Sequence, residues 1–192
     1  MIKIAVVGDI GSGKSYLAKQ FGFPVFDADS EVGKLYKKSR KCYLKLKKKL
    51  PTYITSFPIE KNKLSRAIID DQNNLKKIIK IVHPLVRKRM HDFFKKNKNK
   101  KIVVLDIPLL IENKIYKKNY ILIFVDAKKK DIKKRLERRP NFNLKVFKKL
   151  KKVQLPVEKK RKKSDFIIKN DFKHDSIKKN VKKVLKKILL NA

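Results

Sequence analysis

The sequence has little cysteine and no long apolar run, and each shortage excludes a class of protein. Cys42 is the single cysteine among 192 residues, so an internal disulfide framework is excluded, and no cluster has the spacing of metal ligands. No apolar stretch approaches the roughly 20 residues that a membrane-spanning helix needs. Residues 1–7 predict a buried strand leading into a functional loop, so we expect no cleavable signal segment and a soluble, cytoplasmic protein.

Acidic residues and arginine are also scarce. The chain has 17 acidic and 55 basic residues, a net charge of +38, and only eight of the basic residues are arginine. Such a charge suggests nucleic-acid binding, because cationic proteins attract phosphate backbones. However, residues 1–36 carry four lysines and four acidic residues. The other lysines are spread over nearly every predicted helix, whereas dedicated nucleic-acid binders gather them on one face with aromatic residues. We interpret the lysine excess as the codon usage of an AT-rich genome and expect no specific nucleic-acid partner.

The remaining composition is that of a folded domain. Apolar residues make up 42% of the chain, too many for a disordered protein. Short apolar runs alternate with segments of helical periodicity, which predicts an α/β fold with a parallel sheet covered by helices on both faces. Strands are predicted at 2–7, 23–26, 102–106, 120–125 and 166–168. Helices are predicted at 16–21, 30–49, 64–82, 85–94, 130–139, 144–153 and 177–190, with an interruption at His83-Pro84.

Residues Gly8 to Ser15 match the phosphate-binding pattern G-x-x-x-x-G-K-[ST] at every fixed position. Its glycines let the backbone bend around a phosphate and present N–H groups to it. Lys14 supplies a positive charge for the β- and γ-phosphates, and the Ser15 hydroxyl is a ligand for Mg²⁺. A buried strand precedes the loop and a helix follows it, as this motif requires. The pattern predicts an ATP-dependent phosphotransferase.

Carboxylates follow two of the predicted strands. Asp27 and Asp29 come after the second strand, at the sheet edge where the phosphate loop lies, and a kinase needs a carboxylate to deprotonate its acceptor hydroxyl. We predict Asp29 as the base and Asp27 as its support, although one of them can instead cap the next helix. Asp106 ends the third strand, where it either holds Mg²⁺ through water or serves as a helix cap or a turn residue before Pro108.

Arginines gather near the end of the helix 130–139. Arg135, Arg138 and Arg139 are placed to clamp transferring phosphoryl oxygens, since guanidinium groups bind phosphate in a bidentate manner. A solvated helix face is the alternative, for Arg138 especially. His83 is interpreted as a packed or capping residue rather than a general base.

With these pieces assembled, the chain resembles the dephospho-CoA kinase family along nearly its full length. The resemblance is carried by Gly8–Ser15, Asp27-Ala28-Asp29, His83–Arg87, Pro108–Asn113, Arg135-x-x-x-Arg139, Gln154 and Ser164–Asn170. It implies transfer of the ATP γ-phosphate to the ribose 3′-hydroxyl of dephospho-CoA, the last step of coenzyme A synthesis. The expected substrates are therefore ATP with Mg²⁺ and dephospho-CoA.

The resemblance also implies an architecture and a set of site residues. The expected architecture is a P-loop kinase fold with a five-stranded parallel core (1–49, 96–137 and 161–192), a helical acceptor-binding lobe at about 50–95, and a lid at about 138–160. The implied catalytic residues are Asp29, Lys14 and Arg139. The nucleotide is assigned to Gly11, Ser12, Gly13, Lys14, Ser15, Tyr16 and Asn170, with Asn170 near the adenine. The acceptor is assigned to Asp27, His83, Arg87 and Leu109, and the metal to Ser15 and Asp106.

Four positions depart from the family's usual residues without removing a group that the chemistry needs. Asp9 stands in place of Gly, Tyr16 of Thr, Lys61 of Arg and Asp171 of Gly. An inward-turned Asp9 carboxylate would weaken ATP binding. Two alternatives stay open: another P-loop small-molecule kinase, acting on nucleotides or shikimate, and a basic nucleic-acid-binding protein with a vestigial loop. We expect a monomer or small homo-oligomer with no membrane partner.

Overall fold

The chain is organised as two compact units. The computed structural model describes residues 1–112, 115, 119–138, 140 and 142–191. The sheet unit comprises residues 1–27, 97–142 and 153–192, and the helical unit comprises residues 28–96 and 143–152. Residues 28–49, which the sequence analysis grouped with the core, therefore belong to the helical unit. No described helix is both long enough and apolar enough to cross a membrane.

Five parallel strands form the sheet. They are β1 (Ile2–Gly8), β2 (Val25–Asp27), β3 (Ile102–Asp106), β4 (Tyr120–Asp126) and β5 (Phe166–Lys169). Their order across the sheet is β2-β3-β1-β4-β5, and each neighbouring pair is parallel. Strands of a parallel sheet are buried on both faces, and accordingly every residue of β3, an interior strand, is buried. The predicted fold class is confirmed.

Helices of the sheet unit bury the apolar strand residues. They are α1 (Lys14–Gln20), α6 (Lys129–Glu137), α8 (Val157–Lys162) and α9 (His174–Leu190). Leu17 of α1 and Ile177 and Val181 of α9 pack with Ile4 and Val6 of β1 in one core cluster. The amphipathic helix predicted at 177–190 is thus a core-packing helix. The short helix α8 was not predicted.

The helical unit has a separate apolar core. Its helices are α2 (Ala28–Lys38), α3 (Arg40–Lys49), α4 (Lys61–Asp70), α5 (Gln72–Lys96) and α7 (Leu144–Lys152). Leu35, Leu46, Leu64 and Ile78, one from each of α2 to α5, meet in this core. The shared core explains why residues 28–49 group with the helices that follow them.

The helix predicted over 30–49 is divided in two at Ser39. This residue is extended, with φ −100° and ψ 99°, and its side chain accepts a hydrogen bond from the Cys42 amide. Serine is among the preferred residues at the start of a helix because its oxygen satisfies an otherwise unpaired amide. Apolar periodicity alone did not show this break, since the stripe continues from Leu35 to Leu46.

The interruption predicted at Pro84 is absent, because α5 continues through it. A proline inside a helix removes one backbone hydrogen bond and costs about 3 kcal/mol. Ile78 and Val82 before the proline, and Leu85 and Val86 after it, all pack in the core of the helical unit. This apolar burial on both sides keeps the helix continuous.

Candidate active site

The phosphate loop joins β1 to α1, and its glycines adopt backbone conformations that other residues disfavour. Gly11 and Gly13 have φ values of 83° and 92°, in the left-handed region that glycine enters without steric cost. A Cβ atom at Gly13 would lie 2.3 Å from Asn170 Nδ2. Glycine is therefore required at position 13 both by its dihedral angle and by its neighbour.

Asn170 joins the end of β5 to the phosphate loop. Its side chain is buried, and Nδ2 donates a hydrogen bond of 2.7 Å to the Ser12 carbonyl. The Asn170 Oδ1 atom accepts a hydrogen bond from the Phe172 amide at 2.8 Å, which fixes the orientation of the side-chain amide. The sequence analysis placed Asn170 near the adenine, and the structure brings it onto the loop itself.

Lys14 and Asp9 both make hydrogen bonds inside the loop. The Lys14 ammonium donates to the Asp9 carbonyl at 2.7 Å, and Asp9 Oδ1 accepts from the Ile10 amide at 2.8 Å. The carboxylate that departs from the family pattern is thus bound to the backbone beside it. Among the described side chains, Ser12 Oγ is buried without a hydrogen-bond partner.

Two carboxylates meet at the carboxyl edge of the sheet. Asp106 pairs in register with Asp27 of β2 and with Val6 of β1, two residues before the phosphate loop. Paired residues of neighbouring strands lie about 5 Å apart, so Asp27 and Asp106 are adjacent. Asp106 is only 4% exposed.

No group of three or more histidine, cysteine, aspartate or glutamate residues in the described part of the chain is arranged to hold a metal ion. Mg²⁺ does not need such a group, because it binds through one or two carboxylates together with water and substrate phosphates. The oxygen atoms of Asp106 and Ser15 are suitable donors for this mode of binding. The residues present therefore fit the expected ion.

The predicted base and two acceptor residues belong to the helical unit. Asp29 is exposed in the first turn of α2, and its charge helps to raise the pKa of Tyr36, which is raised mainly by burial. His83 and Arg87 lie one turn apart on α5. Partial burial of His83, and next the Arg87 charge, lower the pKa of the imidazole below 6.5, so its neutral form is favoured.

Glu31, in the same first turn of α2 as Asp29, is bound by two cations. Its carboxylate accepts hydrogen bonds from Arg89 of α5 at 3.1 Å and from Lys34 at 2.6 Å. Partial burial acts to raise the pKa of Glu31, but these two partners hold it below its usual value. The sequence analysis did not select Glu31 or Arg89.

The remaining predicted residues are spread over the sheet unit. Leu109 is half-buried in the turn after β3, and Arg135 of α6 stacks its guanidinium over Phe172 at 5.2 Å. Tyr16 makes an edge contact with His174, with ring centroids 6.3 Å apart. Arg139, the predicted lid arginine, lies outside the described residues.

A buried ion pair near the loop was missed by sequence reasoning. Lys160 of α8 pairs with Glu112 at 2.8 Å, and their side chains are 2% and 9% exposed. Glu112 had been noted only as part of a family stretch. Lys160 stands in the basic run 159–163, which contains three other lysines and Arg161, and nothing in the local sequence distinguishes it from those lysines.

Comparison with known proteins identifies the family. The sequence model of the dephospho-CoA kinase family matches residues 2–176. The dephospho-CoA kinase of Bartonella quintana (strain Toulouse) is 39% identical over 170 residues, which cover 86% of this chain and 87% of the relative. A solved structure of a Thermus thermophilus protein has a TM-score of 0.78 and 25% identity, covering 99% of this chain and 97% of that one. The dephospho-CoA kinase of Campylobacter jejuni shares the fold, with a TM-score of 0.65, 23% identity, and coverage of 97% and 96%. The family match spans most of the chain and confirms the resemblance drawn from the motifs: the chain belongs to the dephospho-CoA kinase family.

Proposed function

We propose that the protein transfers the γ-phosphate of ATP to the ribose 3′-hydroxyl of dephospho-CoA, giving coenzyme A and ADP. This is the last step of coenzyme A synthesis. The observation that supports it best is the phosphate loop at the carboxyl edge of the sheet, beside Asp27 and Asp106, in a chain of this family.

The ATP side of the reaction is assigned to the sheet unit. The loop amides and the Lys14 ammonium bind the triphosphate, because positive and N–H groups stabilise the charge on the transferring phosphoryl oxygens. Asn170, bonded to Ser12 at 2.7 Å, keeps the loop in its binding conformation, and Tyr16 lies beside the nucleotide. Mg²⁺, held by Ser15 and Asp106, would neutralise phosphate charge. Arg139 is assigned to the phosphates from the sequence pattern alone.

The acceptor side is assigned to Asp29 as the base, supported by Asp27. Asp29 accepts the proton of the acceptor hydroxyl as that oxygen attacks the γ-phosphorus. Its exposure in the first turn of α2 leaves its carboxylate accessible to a substrate. His83 and Arg87, in an acceptor-binding lobe at about 50–95, hold dephospho-CoA together with Leu109 of the sheet unit. Residues at about 138–160 form a lid.

The substrate assignment is tested by a phosphoryl-transfer assay with Mg-ATP and three kinds of acceptor: dephospho-CoA, a panel of nucleoside monophosphates, and shikimate. We expect turnover of dephospho-CoA and little turnover of the others. Inactivity on dephospho-CoA together with turnover of another acceptor would reject the proposal in favour of a different P-loop kinase.

The base assignment is tested by comparing Asp29→Asn with Asp27→Asn. Asp29→Asn should lower kcat by roughly 10²- to 10⁴-fold, the usual contribution of a positioned general base, while ATP affinity stays close to that of the parent. Near-normal turnover in Asp29→Asn, with a large loss in Asp27→Asn, would transfer the role to Asp27.

The proposed partners are small molecules, and we propose that the protein acts in the cytoplasm as a monomer or small homo-oligomer. A DNA-binding assay over a salt series tests the nucleic-acid alternative. Charge alone predicts weak binding that falls steeply with salt. Tight binding that persists in high salt, in a chain without kinase activity, would favour that alternative.

A further inference from the structure

The buried pair of Lys160 and Glu112 joins three segments of the sheet unit. The Lys160 ammonium lies 2.8 Å from Glu112 Oε1 and 3.5 Å from the carbonyl oxygen of Gly8, the first residue of the phosphate loop. Glu112 Oε1 also accepts a hydrogen bond from the Leu155 amide at 3.1 Å. One carboxylate oxygen and one ammonium therefore link the loop, the turn that carries Leu109, and the segment that enters α8.

The burial of this lysine sets it apart from the others. Most lysines of the chain lie at the surface, and Lys160 is the one buried lysine in the part of the chain that the structure describes. Removing an ammonium and a carboxylate from water is costly, and uncharged side chains of similar size in the same place often give equal or greater stability. The burial of two ions at positions 112 and 160 is therefore not explained by stability alone.

The contacts of the pair indicate what the ions do. Gly8 ends β1, where it pairs with Val125 of β4, and it is also the first residue of the phosphate loop. An ammonium can hold a carbonyl and a carboxylate at once because it has three N–H donors and no acceptor. Lys160 thus lies between Gly8 and Glu112, and Glu112 lies in the turn that contains Leu109.

We infer that Lys160 and Glu112 are positioning residues, which fix the phosphate loop relative to the turn that carries Leu109. The inference rests on the proposed function, because it assigns ATP to the loop and the acceptor to Leu109. In it, neither residue touches a substrate. Lys160 acts through the Gly8 carbonyl, and Glu112 acts through its own turn and through Leu155.

The test compares three variants with the parent. Lys160→Met removes one charge and leaves Glu112 buried and unpaired. The double variant Lys160→Met with Glu112→Gln removes both charges, and the Gln carbonyl can still accept from the Leu155 amide. Lys162→Met, at an exposed position of α8 outside the proposed lid, makes the same change of charge without touching the pair. The measurements are the thermal midpoint, the Kd for Mg-ATP without acceptor, and the kcat and KM for both substrates.

A positioning role predicts that the double variant loses ATP affinity while it keeps most of its thermal stability. Lys160→Met should lose both, because it leaves a carboxylate buried without its partner. The double variant should melt within about 4 °C of the parent, yet bind Mg-ATP roughly tenfold more weakly, as expected for the loss of a hydrogen bond to a charged group. Lys162→Met should match the parent in every measurement.

Three results would overturn the inference. The first is a stable double variant with the parent's ATP affinity and kcat. The second is a double variant that does not fold although Lys162→Met does, because the pair would then serve folding. The third is an equal loss of ATP affinity in Lys162→Met, which would show a general effect of charge. The Kd for ATP is measured without acceptor, so failure of the substrate assignment is detected separately as absent turnover of dephospho-CoA.

Discussion

Gly13→Ala should disrupt the phosphate loop, because the added Cβ atom would overlap the side chain of Asn170. Alanine at this position would keep a φ near 92°, and its Cβ would lie 2.3 Å from Asn170 Nδ2 and 3.5 Å from a ring carbon of Phe172. The Asn170 side-chain amide cannot move aside without breaking hydrogen bonds. It is buried and is bonded at both ends, to the Ser12 carbonyl and to the Phe172 amide.

The free-energy cost of Gly13→Ala has two parts. A non-glycine residue in the left-handed region costs about 1–2 kcal/mol. Displacement of Asn170 breaks its bond to Ser12 and leaves buried polar groups unpaired, which costs about 1–3 kcal/mol more. The free energy of unfolding should therefore fall by about 2–5 kcal/mol, and ATP affinity should fall with it because the Ser12 carbonyl loses the bond that holds it.

Gly22→Ala is the matched control. Gly22 has φ 74°, so alanine there meets the same backbone cost, but its Cβ would have no atom within 4 Å. Urea unfolding and calorimetric titration with Mg-ATP should show Gly13→Ala to be more destabilising than Gly22→Ala by about 1–3 kcal/mol. In the double variant with Asn170→Ala the two effects should be less than additive. Equal costs for Gly13→Ala and Gly22→Ala, with unchanged ATP binding, would refute this reasoning.

Three further predictions concern the loop, a histidine and a helix start. Lys14→Ala should abolish measurable phosphoryl transfer in a chain whose circular dichroism spectrum is unchanged, and retained turnover would remove Lys14 from the site. His83 has a pKa lowered below 6.5, so the unfolded chain takes up that proton more readily. Its contribution to stability is complete above pH 6.5 and is lost as pH falls through the folded pKa. His83→Gln should reduce the loss of stability between pH 7.5 and 5, measured by urea unfolding, and a loss equal to that of the parent would contradict this reasoning. Ser39→Ala removes the oxygen that accepts from the Cys42 amide and should lower the free energy of unfolding by about 1 kcal/mol; no change in the urea midpoint would contradict the capping role.

Much of the sheet could be predicted from the sequence because parallel strands are uniformly apolar. Residues 102–106 and 120–125 are visible as β-branched runs, and the glycines and Lys14 of the loop follow a fixed spacing. Periodicity could not locate the break at Ser39, where a single side-chain hydrogen bond ends one helix and begins another. Periodicity also predicted a helix break at Pro84 that does not occur, because apolar packing on both sides of the proline offsets the missing backbone hydrogen bond.

The candidate site was predictable where a motif spans neighbouring residues and not where distant segments meet. The phosphate loop was found from eight consecutive residues. The contact of Asn170 with Ser12 joins positions 158 apart in the chain, so its place on the loop depends on the strand order. The role of Lys160 could not be predicted for a different reason. It stands in a basic segment, and only its burial in the folded structure distinguishes it from its neighbours.

Because Lys160 is buried, the rate at which it is chemically modified would report on local opening of the native protein. An amine-reactive label applied to the native protein would modify lysines almost everywhere on the surface, but it would reach Lys160, 1% exposed, only when that part of the molecule opens. Peptide mass spectrometry over a time course would then show slow labelling of the peptide that contains Lys160 and fast labelling of the peptides that contain exposed lysines. As the one buried lysine among the residues that the structure describes, Lys160 would measure local opening beside the phosphate loop without any engineered probe.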